Sequence, residues 1–248
     1  MALLIDGNVS TGEDLRAYES SILDVANTEG IDLDAKIDLA GREMEVEISA
    51  YLLEQNSMYT VAAVMVTEAM AQWHAQKTLA LIYRDAYNSQ LNDRYAGKWK
   101  QYESLAKQTR ALTLETGIGI SLFPVPRAKA PVCDSVGGGN LAQSTCYVQI
   151  AWVGAQGRLG EASELTSFVS EAGRLLRIEA VAPPTGATGW VVYIGVDPSS
   201  LHLQPGGPVA IGSAWILPVS GPTPGGALPA DLTVPDLLIR RRSLFRRG

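Results

Sequence analysis

Apolar residues recur at spacings of three and four through the first 117 residues of the chain and at alternate positions after residue 131, so the pattern changes from helical to extended between Gly117 and Pro131. In the first part, the polar and acidic residues 11–14 suit a helix start, and Leu15, Tyr18, Ile22, Val25 and Ala26 carry one helix to about Gly30. Asp32 opens a second helix. Its stripe of Ile37, Gly41, Met44, Ile48 and Tyr51 or Leu52 leaves Lys36, Asp38, Glu43, Glu45 and Glu47 on other faces, and it ends within residues 53–57. Thr67 is placed to cap a third helix, along which Met70, Trp73, Lys77, Leu81 and Arg84 track. A break over residues 88–93 precedes a fourth helix carrying Trp99, Tyr102, Leu105, Ala106 and Leu112, with Gly117 where a C-terminal cap belongs. Four helices with short connections predict a compact bundle.

In the second part, QSTCYVQIAWV (residues 143–153) places Cys146, Val148, Ile150 and Trp152 on one strand face and Tyr147, Gln149, Ala151 and Val153 on the other. Further strands are predicted at residues 175–180, at WVVYIG (190–195) and late, within 209–216. Short strands divided by Gly and Pro predict two packed antiparallel sheets. PPTGATG (183–189) reads as a loop, because its prolines cannot donate within a ladder. Residues 218–235 form a Pro/Gly tract without periodicity, expected as an extended strap, and the chain closes on LLIRRRSLFRRG, an apolar and basic hook. The fold class is therefore α+β and multidomain: an N-terminal α-helical bundle over residues 1–117, a linker over 118–130, a C-terminal antiparallel β-sandwich over 131–217 and an extended C-terminal tail over 218–248.

A length of 248 residues accommodates two domains with separate cores. No segment approaches the roughly 20 apolar residues that span a bilayer, and the first eight residues lack the basic flank of a secretory signal, so a soluble protein is expected. Cys133 and Cys146 belong to no metal-spaced cluster, and the strand face of Cys146 makes a buried free thiol a better reading than a bridge to Cys133. His74 and His202 have no local metal-binding partner and read as structural or surface residues. Asp32, Asp34, Asp38 and Glu43 imitate a calcium loop, but Lys36 occupies a ligand position and Ile37 stands where glycine is required. The glycines at 137–139 lack the Lys-Ser or Lys-Thr of a phosphate loop, and no GxSxG element is present. The expectation is a protein without catalytic residues, metal or cofactor.

The net charge of −6 conceals a polarity, since residues 1–54 hold 13 acids and 3 bases while residues 240–248 hold 5 arginines and no acid. Such separation suits contact between copies or with a partner, although a solvated acidic face explains it as well. Arg240, Arg241, Arg242, Arg246 and Arg247 are interleaved with Leu237, Leu238, Ile239, Leu244 and Phe245, a mixture suited to docking into a protein groove. Trp73, Tyr87, Tyr95, Trp99 and Tyr102 offer more aromatic surface than a short bundle readily encloses, so they are either core or an interface between subunits.

Residues 14–53 and 67–109, the latter containing TEAMAQWHAQKTLALIYRDAYNSQLNDRYAGKWKQYESLAKQT, resemble the head-tail connector, or adaptor, proteins of tailed bacteriophages. YVQIAWVGAQGRLGEASE (147–164) and GATGWVVYIG (186–195) resemble the fibronectin type III or immunoglobulin-like modules attached to phage structural proteins. The resemblance implies a structural virion protein, assembled in the host cytoplasm, that forms a homo-oligomeric ring, usually dodecameric, beneath the portal. That ring offers a platform to the stopper or tail and surrounds DNA that passes without sequence-specific binding. It also implies that the C-terminal tail engages the portal protein. The alternative is a decoration or host-surface glycan-binding module, anchored by the helices, with Trp190, Tyr193 and Trp215 as candidates for an exposed aromatic face.

Overall fold

The computed structural model describes residues 2–90, 93–139, 142–223, 225–226 and 234–241. It is α+β, with five helices in the N-terminal half and antiparallel sheets in the C-terminal half. Contacts group the chain into a helical unit of residues 7–122 and 235–248 and a β unit of residues 1–6 and 123–234. Where the sequence suggests four consecutive segments, both ends of the chain thus join the unit made by the more distant part of it.

The helical unit begins with α1 (Gly12–Tyr18), held by a capping box in which Thr11 Oγ1 accepts from the Asp14 amide and the Asp14 carboxylate accepts from the Thr11 amide. The single helix expected up to Gly30 is in fact two, because Glu19 turns extended and α2 spans Ile22–Glu29. The interruption is stabilised from outside. Tyr102 donates to the Tyr18 carbonyl and to the Glu19 carboxylate, which Lys98 also reaches. Gly30 closes α2 in the left-handed conformation at φ 66°. Asp32 then caps α3 (Leu33–Glu54), accepting from the Ala35 amide at 3.0 Å. The stripe expected on α3 is buried: Ile37, Met44, Ile48, Tyr51 and Leu52 are all 4 % exposed or less. The long helices α4 (Glu68–Gln90) and α5 (Asp93–Thr116) pack on each other, and α3 packs on α4. After Gly117, at φ 113°, comes the short strand β1 (Ile118–Ile120).

In the β unit, β2 (Val132–Gly137), β5 (Arg174–Glu179) and β8 (Trp215–Ile216) form one sheet in the order β2-β5-β8. A second has the order β4-β3-β6-β7, from β3 (Ser144–Val153), β4 (Thr166–Ser170), β6 (Gly189–Gly195) and β7 (His202–Leu203). The late strand expected within 209–216 is only the two residues of β8, while Val209 makes a single bridge to Trp190. One apolar cluster draws Cys146, Val148, Ile150, Trp152, Trp190, Val192 and Ile194 from the four-stranded sheet and Leu176 and Ile178 from the three-stranded sheet. The opposite face of the four-stranded sheet carries a smaller cluster of Ala151, Val153, Val191, Tyr193 and Leu201. This explains why β6 reads as a continuous apolar run, since every one of its residues is buried.

Among the described residues the Pro/Gly tract follows the edge strand β7. Gln204, 4 % exposed, uses its side-chain amide to donate to the Thr223 carbonyl and accept from the Thr223 amide. Leu203 N donates to the Gly226 carbonyl, and a Cβ on Gly225 would lie 1.9 Å from the Leu203 oxygen. Only glycine permits that approach. The tract therefore covers backbone groups that an open edge would expose.

Candidate functional site

Three features of the expected tail and aromatic set are settled by their neighbours within the chain. The first is the C-terminal strand. Leu237, Leu238 and Ile239 form β9 (Leu237–Ile239), antiparallel to β1 with Ile118 opposite Ile239 and Ile120 opposite Leu237. The slot is read over more than these three residues. Asp236 donates its amide to the Ile120 carbonyl and accepts from the Leu122 amide at 2.7 Å, and the Tyr51 hydroxyl reaches the Ile239 carbonyl. Pro235 lies so close over Gly119 that an added Cβ would come within 2.7 Å of the proline ring. Arg240 and Arg241 follow, both exposed. Arg242, Leu244, Phe245, Arg246 and Arg247 lie outside the described residues.

Sequence reasoning reached the apolar and basic character of this end but missed Tyr51, Gly119, Pro235 and Asp236 as the residues that hold it. The available signal was the Pro-Asp step directly before LLI and the glycine between two isoleucines at 118–120.

The second feature is the aromatic set. Trp73, Tyr95 and Tyr102, offered as an interface between subunits, are 1 %, 4 % and 5 % exposed and belong to the interior of the helical unit, which removes them as contact surface. Tyr83 stacks on Tyr102 with ring centroids 5.8 Å apart and packs on Tyr95 at 6.0 Å. Tyr95 donates to Glu29 at 2.9 Å and Tyr102 to Glu19 at 3.1 Å, so the aromatic group ties α4 and α5 to the first two helices. Burial pushes Tyr83 up to about 12 and raises Tyr102 as well, the charge of Glu19 adding to both. Burial acts to raise the Glu19 carboxyl too, but hydrogen bonds from Lys98 and Tyr102 outweigh it and hold the group below its ordinary value. Tyr87 and Trp99, stacked at 5.7 Å, keep partial exposure.

The third feature is a groove of about 750 Å³ walled by α3 and α5. Val46, Ala50 and Tyr51 line it from α3, Ala111 and Leu114 from α5, with Glu54, Glu115 and Arg241 at its borders. A smaller hollow of about 290 Å³ shares Glu47 and Arg110 with it. Lys77 bridges Glu43 at 2.9 Å and Glu47 at 2.6 Å, and Arg110 also pairs with Glu47. These charges are therefore spent on joining the three long helices.

The remaining candidates for chemistry are accounted for by local structure. His74 is fully buried: its Nε2–H donates to the Ile37 carbonyl at 3.2 Å, and its Nδ1 accepts from the Ser10 hydroxyl at 2.6 Å. Burial lowers it to about 4, so it is neutral at physiological pH. His202 Nδ1 donates to the Gly225 carbonyl beside the strap. Both cysteines are free, and burial pushes Cys133 up to about 11. Among the described residues, no group of three or more His, Cys, Asp and Glu is arranged to hold a metal ion, and no helix is long and apolar enough to cross a membrane. Trp190 and Tyr193, candidates for an exposed aromatic face, are 0 % and 1 % exposed; Trp215 is half-buried. No protein-family model matches the chain, and no curated protein matches it.

Proposed function

We propose that this chain is a structural component of a tailed-phage particle, a connector whose copies form a ring between portal and tail. The observation that carries the reading is its construction: a helical unit built on two long packed helices, an appended β unit, and a C-terminal strand that ends on the helical unit with its arginines exposed. Within the helical unit the connector reading calls for a bundle, and the packing of α4 on α5 and α3 supports it. Within the β unit it calls for an immunoglobulin-like or fibronectin type III sandwich. What supports it is the pairing of β2 with β5, of β3 with β6 and of β6 with β7, which is compatible with strands B with E, C with F and F with G of an immunoglobulin-like sandwich.

In this reading the work is adhesion. Copies meet through the partly exposed Tyr87 and Trp99 on α4 and α5, and the arginine-bearing end engages the portal, many weak contacts adding to a firm one around the ring. The acid-rich first helices line the channel and repel the duplex, which then passes without being gripped. The test is location and stoichiometry. Native mass spectrometry of the purified protein is expected to show a closed ring, and reconstruction of particles is expected to place it at the neck. A protein that stays monomeric at every concentration and is missing from mature particles would sink the proposal.

A further inference from the structure

The sheet edges of the β unit are not protected alike. The strap covers β7, β8 is two residues long, and β2 carries Asp134, which pairs with Arg177 at 3.0 Å. β4 has no such protection. Its sequence, TSFVS, holds no charge, proline or glycine and is rich in residues that favour strands. It is the outer strand of the order β4-β3-β6-β7, and among the described residues it pairs with β3 alone.

Parity fixes which groups this edge presents. Ile150 accepts from the Ser163 amide and donates its own amide to the Ser163 hydroxyl, so the backbone groups of Ile150, and with them those of Val148 and Cys146, face the β4 side. The other neighbour of Ile150 agrees: Val192 on β6 turns its carbonyl away, to the Gln204 amide. Thr166 and Phe168, opposite Val148 and Cys146, therefore bond inward. Ser167 and Val169 point their amides and carbonyls away from the sheet, and none of the described residues bonds these groups. Both residues are exposed, and Leu165 (43 %) and Val169 (58 %) place apolar side chains on the same face of the edge.

We propose that β4 is a pairing edge for a second copy of this chain, the two β4 strands lying antiparallel about a two-fold axis with Ser167 opposite Ser167. An antiparallel partner must set outward-bonding residues against outward-bonding residues. The register centred on Ser167 does so, and it places Leu165 of each copy opposite Val169 of the other and Thr166 opposite Phe168. The exposed apolar residues of one copy thus cover those of its partner. Charge agrees with this register. Glu164 falls opposite Ser170 and Glu171 opposite Ser163, so no carboxylate faces another across the pair. The neighbouring registers, centred on Thr166 or on Phe168, set Leu165 and Val169 against Ser163, Ser167 or Glu171 instead. The contact uses the same patch on both copies, so it closes at two. It joins two four-stranded sheets into one continuous sheet and removes the open edge from both. This pairing concerns the β unit and stands independently of the connector reading, in which copies meet through the helical unit.

The experiment is disulfide trapping in the full chain with glutathione disulfide as oxidant. Three chains carry S167C, L165C or V169C, and peptide mass mapping separates the introduced thiols from Cys133 and Cys146. S167C is expected to cross-link to itself at least about tenfold faster than L165C or V169C does, because pairing holds its two thiols together. The Cα separation of about 5.5 Å in a hydrogen-bonded pair suits a disulfide. L165C and V169C are expected to cross-link to each other when mixed. V169P removes an outward amide and no bond to β3, so in the S167C chain it should bring the rate down to that of L165C alone. Equal rates for the three single-cysteine chains, or no mixed cross-link between L165C and V169C, would overturn the proposal whatever V169P does. Neither readout depends on ring formation or on a place in a particle, so this contact and the connector reading fail separately.

Discussion

His74 donates to the Ile37 carbonyl and accepts from the Ser10 hydroxyl, so protonation would turn that hydroxyl round to accept and would leave a charge in a fully buried site. Its pKa is lowered from 6.5 to about 4 by burial, and the unfolded chain therefore takes up the proton first. Stability is full above pH 6.5 and falls as the pH drops towards 4, by about 3 kcal/mol in all. Urea melts of the native chain and of His74→Gln at pH 7 and pH 4.5 check this. The variant starts lower but should lose clearly less between the two pH values, and an equal loss would remove His74 as the cause. A second residue-scale prediction concerns Gly119, where a methyl group would meet Pro235 at 2.7 Å. Gly119→Ala should cost about 1–3 kcal/mol and speed tryptic removal of the end at Arg240 and Arg241. At this scale the sequence was legible for side chains that follow the helical stripe, such as Met44 and Ile48, and for the buried thiol of Cys146. It was not legible for Gly119, because the atom that forbids a side chain there comes from a residue more than a hundred positions away.

The elements show where local pattern and tertiary contact part. The strongest periodic runs became α3, β3 and β6 within a residue or two of their expected limits. The first helix did not, because Glu19 gains more from Lys98 and Tyr102 than from continuing the helix. The edge strand β2 was missed since VCDSVG mixes Asp, Ser and Gly, as a half-exposed edge requires, and β7 is too short to carry a period. The strap over β7 gives a prediction at this scale. Gln204→Ala removes both bonds to Thr223 and one to the His202 carbonyl, and should cost about 1–3 kcal/mol. Hydrogen exchange at Leu203, whose amide donates to Gly226, should rise in the same variant. Unchanged protection there would show that the strap is held by something other than the glutamine.

At the scale of the molecule, two units with separate apolar clusters predict two unfolding events. Trp152→Ala, at a site 2 % exposed and opposite Trp190 in the ladder, should remove about 3–5 kcal/mol from the β unit. Calorimetry should then show one transition moved and the other kept, whereas a single transition moving as a whole would contradict the separation. By itself the sequence determined which stretches are helical and which extended, where most helices begin and end, and how charge is distributed, because these follow from side-chain period, caps and composition over a few neighbouring residues. Tertiary structure alone decided that Trp73, Tyr83, Tyr95 and Tyr102 are spent on the interior while Tyr87 and Trp99 are not, that the Pro/Gly tract covers an edge, and that the last strand belongs to the helical unit. Each depends on backbone groups and volumes brought together from distant parts of the chain, and no local pattern carries that information.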